Sequence, residues 1–219
     1  MANGTLDAPR VDRKLGLTVI LQDHVVPAWV IQWCRHLDRR RQVLATPGTP
    51  DRLMTIATLA GRSVLLPAPE EPAWSRPEPV VAAVRDLPDD DAVLAEAASA
   101  AAELGVPLEL THVVPVSFAE RSVRLDEAMR HGHWVLDRGV RRLATIAPGV
   151  TVLPTLLRRR PHELVGEELV AELLVLGGPR PGFPARIGPV ASTAVQHAHC
   201  PVLLAPRRPW PPFDPLAIH

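Results

Sequence analysis

Cysteine is scarce in this chain, and long apolar runs are missing from it. Only Cys34 and Cys200 occur among its 219 residues, in segments typical of a helix and of a strand start, which excludes a disulfide framework. No apolar run approaches the roughly 18 residues that a membrane-spanning helix needs, and no apolar signal segment is recognisable. We therefore expect a soluble, cytoplasmic protein.

The chain also lacks an excess of charge of either sign. Its 24 basic and 24 acidic residues cancel. No overall field would then attract nucleic acid or an anionic membrane, so we expect neither as a partner. Any binding has to come from a local site.

The usual motifs of catalysis and metal binding are absent as well. The sequence has no GK[ST] phosphate loop, no G-x-S-x-G elbow, no HExxH and no Ser-Gly-Gly loop of pyrophosphatase-type ATP enzymes. His131 and His133 are two residues apart, and on a helix such residues point to different faces, while His197 and His199 lie at a helix-to-strand turn. We therefore expect a non-catalytic protein without a metal site.

Proline, by contrast, is abundant and marks the organisation of the chain. Its 25 occurrences are about twice the usual share of roughly 5%. Residues 67–79, reading PAPEEPAWSRPEP, have the composition of a stiff linker, and residues 206–215, reading PRRPWPPFDP, resemble a tail laid along a surface. We divide the chain into an arm (1–16), a smaller unit (17–67), a linker (68–79), a domain (80–206) and a tail (207–219).

After the linker, apolar runs of strand type alternate with segments of helical spacing. The pattern predicts strands over 80–84, 108–114, 150–156, 173–176 and 201–204, and helices over 89–104, 121–146, 161–170 and 188–198. Such alternation indicates a parallel sheet with right-handed crossovers and helices on both faces. We predict an α/β fold with a five-stranded, doubly wound, Rossmann-like sheet.

The segment before the linker repeats part of this pattern. It predicts strands over 17–21, 42–45 and 63–67, and helices over 26–37 and 50–60. The residues Val64-Leu65-Leu66 echo Val202-Leu203-Leu204. We interpret this three-stranded half-domain as a shortened, degenerate copy of the later domain, with an unrelated α/β extension as the alternative.

The stretch Leu173 to Pro206 reads LLVLGGPRPGFPARIGPVASTAVQHAHCPVLLAP: a strand, a glycine turn, a helix, and a strand opened by Cys200-Pro201. It resembles the last third of a universal stress protein domain, and the order of elements over 80–206 is similar to that of the whole domain. The resemblance implies last strands paired across a two-fold axis. We therefore expect 64–66 to run antiparallel to 202–204 within one chain, as an intrachain pseudo-dimer, with a homo-oligomer through these strands as the alternative.

The candidate binding site lies where the order of strands reverses. In an open α/β sheet, ligands bind at the carboxyl ends of the strands at such a point, here between the first and fourth strands of the later domain. The candidate lining follows the first, second and fourth strands and comprises Arg85, Asp86, Val113, Val114, Gly177, Gly178, Arg180, Gly182 and Gly188. The resemblance implies an aspartate for adenine directly after the first strand, whereas Arg85 stands there and Asp86 is shifted by one.

The resemblance also implies a phosphate loop of the form G-x2-G-x9-G followed by Ser or Thr. Arg180 and Val190 stand at two of the expected glycine positions counted from Gly177, and the nearest closing match is Gly188-Pro189. Proline supplies neither a hydroxyl nor an N–H, and losing two donors weakens binding by about two or more orders of magnitude. We therefore expect no tightly held cofactor, with ATP in a reshaped pocket as the alternative.

A different anion is a further alternative at this site. Arg85 and Arg180 would offer planar donor pairs to a carboxylate or phosphate if both faced the crevice. Taken together, we expect a stress-adaptation or regulatory module that acts through contacts with a protein partner. The alternative is an adenine-nucleotide-binding switch for ATP or AMP, or a slow ATPase.

Overall fold

A computed structural model describes residues 17–21, 41–45, 62–66, 77–114, 122–160, 163, 165, 169–179 and 188–207. For the first two of these ranges the backbone alone is described. The predicted helices over 26–37 and 50–60, the arm, most of the linker and nearly all of the tail lie outside the described residues.

Among the described residues, three short strands precede the linker. They are β1 (Leu17–Leu21), β2 (Arg41–Ala45) and β3 (Ser63–Leu66). β1 lies between the other two and is parallel to both, with Val19 opposite Val43 on one side and Leu65 on the other. All four residues of β3 are buried.

Strands and helices alternate after the linker, as the apolar pattern predicts. The strands are β4 (Val80–Ala83), β5 (Leu108–Val114), β6 (Val152–Arg158), β7 (Leu173–Gly177) and β8 (Val202–Ala205). The helices are α1 (Asp91–Leu104), α2 (Ser122–Ile146) and α3 (Pro189–His197). These five strands are mutually parallel, so the predicted α/β, doubly wound fold class is confirmed.

All strands belong to one sheet in the order β2-β1-β3-β8-β7-β4-β5-β6. The two groups meet where β3 runs antiparallel to β8, with Leu65 opposite Leu203 at the centre. We call this pair of strands the seam. The predicted antiparallel pairing is therefore present within one chain, while its interpretation as a pseudo-dimer of repeats stays a prediction.

The sheet is covered on both faces, and the seam contributes to both layers. On one face α1 and α2 pack over a cluster that includes Leu65, Leu94, Leu110 and Leu203. On the other face α3 packs over a second cluster, which contains Val64 and Leu66. Because alternate residues of β3 enter different clusters, this strand is buried from both sides.

The helix predicted over 161–170 lies mostly outside the described residues. Of the described ones, Glu163 and Val165 have 3₁₀ geometry, whereas Leu169 and Val170 are not helical, so the prediction is wrong at its last two residues. The preceding strand is shifted by two residues, since β6 spans Val152–Arg158 where the sequence predicts a strand over 150–156.

Candidate functional site

The reversal of strand order falls between β4 and β7. From β4 the chain proceeds to β5 and β6 on one side, and it returns through β7 to β8 on the other. The carboxyl ends of β4 and β7 therefore lie next to each other with their following loops diverging, which is the geometry that forms a ligand crevice in open α/β sheets. The predicted position of the reversal is confirmed, and we call this place the crevice.

The turn from β4 to α1 is organised by a buried carboxylate. Asp90 is 1% exposed, and its Oδ2 accepts hydrogen bonds from the backbone N–H groups of Arg85 at 2.7 Å and Asp86 at 3.2 Å. The sequence pattern indicates that Asp89-Asp90-Asp91 is a helix-start cluster favoured by the helix dipole. In the structure Asp90 makes no side-chain cap on α1, because its carboxylate turns back to the loop. Arg85 and Asp86, both predicted to line the crevice, are exposed at its edge.

The same carboxylate pairs with an arginine that is distant in sequence and follows the last strand, β8. Nη2 of Arg207 lies 3.0 Å from Oδ1 of Asp90, and the Arg207 side chain is 17% exposed. The contact is an ion pair and not an aligned hydrogen bond. The sequence assigned Arg207 to the tail and missed it as a site residue. It follows β8, which is parallel to β7, so its position at this edge of the sheet was available from the predicted topology.

The guanidinium of Arg207 packs directly against Gly177, the last residue of β7. A Cβ atom on Gly177 would lie 2.5 Å from Nη2 and 2.8 Å from Cζ of Arg207. Real Cβ atoms do not approach other atoms so closely, so any larger residue at position 177 would displace the arginine side chain from this place. The guanidinium of Arg207 thus occupies the space beside the carboxyl end of β7.

The loop after β7 offers few free donors in its described part. The N–H of Gly178 donates to the carbonyl of Ala205 at 2.8 Å. α3 begins at Pro189, which has no N–H, and the hydroxyl of Thr193 donates to the carbonyl of Pro189 at 2.9 Å. Gly188 precedes the helix with φ −62°, a conformation open to any residue, and a Cβ there would meet nothing within 4 Å. The predicted residues Arg180 and Gly182 lie outside the described residues.

The second strand of the domain contributes apolar groups and one histidine. Val114, a predicted lining residue, is buried at the end of β5 beneath α2, near Gly132, while Val113 packs on the opposite face. Nδ1 of the buried His112 lies 3.0 Å from the carbonyl oxygen of Val84 and must donate to it, since a carbonyl can only accept. The sequence did not identify His112.

Burial favours the neutral form of His112. It lowers the pKa of the imidazole below the ordinary value of 6.5, and the electrostatic interaction with His131 acts in the same direction, while the hydrogen bond to Val84 acts in the opposite direction. His131 meets His112 edge-on with ring centroids 6.1 Å apart, and it stacks on Trp134 at 5.8 Å. The guanidinium carbon of Arg138 lies over the ring of this exposed tryptophan, 5.3 Å from its centroid. His131, Trp134 and Arg138 thus form a stacked group on α2.

The described ranges contain no cluster of side chains that could bind a metal ion. Within them, no three histidine, cysteine, aspartate or glutamate residues come together in a way that could hold a metal ion. In the same ranges, no helix is long and apolar enough to cross a bilayer.

Comparison with known proteins identifies the family. The sequence profile of the universal stress protein family matches residues 77–206, more than half of the chain. The protein therefore belongs to the universal stress protein family. A search of curated proteins finds no match.

Several solved structures are similar to this chain. The universal stress protein UspA from Lactobacillus plantarum is 19% identical, with a TM-score of 0.50, and the match covers 60% of this chain and 99% of that one. A universal stress protein from Archaeoglobus fulgidus in complex with dAMP is 26% identical, with a TM-score of 0.46, covering 57% and 94%. The cytoplasmic domain of a prokaryotic cation chloride cotransporter is 12% identical, with a TM-score of 0.55, covering 88% and 95%.

Proposed function

We propose that this protein is a non-catalytic member of its family, a cytoplasmic stress-adaptation or regulatory module that acts through protein contacts. The observation that carries the proposal is the set of donors around the start of α3. A phosphate site in such a fold needs free backbone N–H groups and a hydroxyl at a helix N-terminus. Here Gly178 and Thr193 donate within the protein, and Pro189 has no N–H to donate.

The electrostatics of the crevice support the same proposal. A polyphosphate is attracted by uncompensated positive charge, yet Arg207 is paired with Asp90 at 3.0 Å. Asp86 adds a carboxylate at the exposed edge, beside the oppositely charged Arg85. The described edge of the crevice therefore carries little net positive charge to attract a nucleotide.

Two exposed apolar regions are suited to protein contacts. β6 is the last strand of the sheet, and Leu153 on it is 48% exposed. An edge strand carries backbone donors and acceptors that another chain can pair with, and a large apolar side chain beside them adds contact area. Trp134 on the neighbouring α2 is 44% exposed, and tryptophan is enriched at protein interfaces.

The melting temperature with and without Mg-ATP tests this proposal. A site with a Kd of about 50 μM would be stabilised by about 2.7 kcal/mol at 5 mM ligand, which raises the melting temperature by about 5 °C or more. We expect no shift for this protein. The Archaeoglobus fulgidus protein solved with dAMP serves as the positive control for the assay, tested with dAMP. A shift of several degrees with Mg-ATP, or a nucleotide retained in native mass spectrometry of freshly purified protein, would contradict the proposal.

The second candidate is an adenine-nucleotide-binding switch. One observation favours it: Gly188 leaves open space in front of α3, where a phosphate could approach the helix N-terminus. The same melting experiment separates the two candidates, because the switch requires a nucleotide-dependent shift and the contact module does not.

A further inference from the structure

The crevice contains a positive charge supplied by the protein and a negative charge that holds it there. We propose that Asp90 determines ligand access to the crevice: by pairing with Arg207 it both fills the space above Gly177 and neutralises the charge that a phosphate would need. The inference rests on the function proposed above, concerns the same site, and explains why a wild-type crevice would be closed to nucleotides.

The first support is the fixed position of the carboxylate. Asp90 is 1% exposed, and Oδ2 accepts the N–H groups of Arg85 and Asp86, so the turn after β4 holds the side chain in one place. Its other oxygen faces Arg207. A carboxylate bound in this way provides a preformed partner for a guanidinium, and little mobility has to be lost when the ion pair forms.

The second support is the fit of the guanidinium against β7. Arg207 packs so closely on Gly177 that a Cβ there would lie 2.5 Å from Nη2, so the arginine would have to move to admit one. The side chain is 17% exposed, so most of it is removed from water at the place where the sheet reverses. Any ligand that approached the carboxyl end of β7 would first have to displace this group.

The two members of the pair therefore have different effects on phosphate binding. In Asp90→Asn the amide oxygen can still accept the two backbone N–H groups, while Arg207 loses its countercharge and becomes available to a phosphate. In Arg207→Ala the space opens, but the carboxylate of Asp90 faces the crevice and repels anions. The double variant opens the space and removes both charges. We expect Asp90→Asn to bind phosphate most tightly and the double variant less tightly. Wild type and Arg207→Ala should bind most weakly, with similar affinities.

The experiment is titration of full-length protein and these variants with Mg-ATP by calorimetry. Asp91→Asn is the matched control, because Asp91 is the adjacent carboxylate and lies 3.8 Å from Arg142 of α2 instead of contacting Arg207. Circular dichroism and melting temperature verify that each variant is folded. We expect Asp90→Asn to bind at least about tenfold tighter than wild type and Asp91→Asn to bind like wild type. An unchanged affinity in Asp90→Asn, or tighter binding by Arg207→Ala than by Asp90→Asn, would overturn the inference.

A second measurement needs no ligand and no variant. Phenylglyoxal modifies exposed arginines, and peptide mass analysis reports each site separately. We expect Arg207 in the wild-type protein to react at least about tenfold more slowly than the exposed Arg85, and equally fast after unfolding. Equal rates in the folded protein would show that the pair does not close the crevice, even if Asp90→Asn failed to fold. Wild-type binding of Mg-ATP would contradict the proposed function, whereas this comparison addresses the ion pair alone.

Discussion

The strands before the linker and those after it meet at one seam, and in each group the order of strands reverses once. The two groups differ in the segment that follows the strand at which the order reverses. In the longer group, β7 lies next to β4 and leads through Gly177 and Gly178 towards α3 and then β8. In the shorter group, β3 lies next to β1 and is itself the seam strand. The order of strands in the shorter group therefore also reverses, between β1 and β3, but β3 is followed by the proline-rich segment 67–79. A reversal alone does not make a crevice; the loop and the helix start after it are also required.

This difference is the one expected of a shortened copy. If β3 corresponds to β8 and β1 to β4, then the shorter group lacks counterparts of β6 and β7 among its described strands. The fold match to the cotransporter domain covers 88% of the chain and so extends beyond residues 77–206. The repeat itself remains a hypothesis, and the comparison of the two groups can be tested at their shared seam.

The largest effect is expected at the centre of the seam. Leu65→Ala removes a fully buried side chain that packs with the α1 and α2 layer, so we expect it to lower the free energy of unfolding by about 2–5 kcal/mol. Leu153→Ala is the matched control on the free edge strand β6, where the side chain is 48% exposed, and we expect a change within about 0.5 kcal/mol. Urea denaturation measures both. Equal losses would mean that the shorter group does not share a core with the longer one.

A buried polar contact also joins the two groups. The hydroxyl of Ser63 on β3 donates to Oε1 of Glu96 on α1 at 2.7 Å, and both residues are buried. Ser63→Ala removes one donor to a buried carboxylate, which we expect to cost about 1–3 kcal/mol. Ser99→Ala removes the same type of contact, to Glu103 at 2.8 Å, on the exposed face of α1. We expect that control to be neutral or slightly stabilising, since alanine favours a helix; a Ser63→Ala variant as stable as the control would argue against a buried link.

The amino ends of β4 and β7 provide a pH-dependent test within the longer group. Burial raises the pKa of Glu172 above its ordinary value of 4.5, and the charge of Glu78 acts in the same direction, while the hydrogen bond from the Glu78 N–H opposes them. The pKa of Glu172 is therefore higher in the folded protein than in the unfolded chain. Its contribution to stability is full at a pH below the unfolded-state pKa, and it is lost as the pH rises through the folded-state pKa.

Glu172→Gln keeps an acceptor for the Glu78 N–H and removes the charge. We expect its melting temperature to exceed that of the wild type at pH 7, with the difference shrinking as the pH falls towards 4. Glu127→Gln on the exposed face of α2 is the control and should show no such trend. A difference for Glu172→Gln that grows at low pH would have the wrong sign for a raised pKa.

Local patterns were sufficient to predict most of the fold, whereas contacts between distant residues were not predictable. β4, β7 and β8 are continuous apolar runs. The seam was predicted from the echo of Val64-Leu65-Leu66 in Val202-Leu203-Leu204 together with the strand pairing that the resemblance to universal stress proteins implies. Asp90 does not cap α1 with its side chain, because its carboxylate accepts the backbone N–H groups of Arg85 and Asp86 and pairs with the distant Arg207.

His112 and Arg207 also contact residues that are distant in sequence. His112 was missed because its partner is the carbonyl of Val84, just after another strand, which no local spacing reveals. Arg207 was missed because proline-rich composition indicated a tail, although the parallel direction of β8 places its end at the crevice. The fold could thus be predicted from local patterns, whereas the candidate site could not, because it depends on which distant residues its charged and polar side chains contact.

The smallest effect concerns the thiol at the start of the seam strand. Cys200 is 4% exposed directly before Pro201 and β8, and burial raises the pKa of its thiol to about 11. At pH 8 only about one thiol in a thousand would then be ionised, and the thiolate is the reactive species. In a Cys34→Ser variant, whose single remaining thiol is Cys200, we expect a disulfide reagent to react at least about a hundredfold more slowly with folded than with unfolded protein. Rapid reaction of the folded variant would show that β8 opens at its start, so that the seam would not protect this strand as its burial implies.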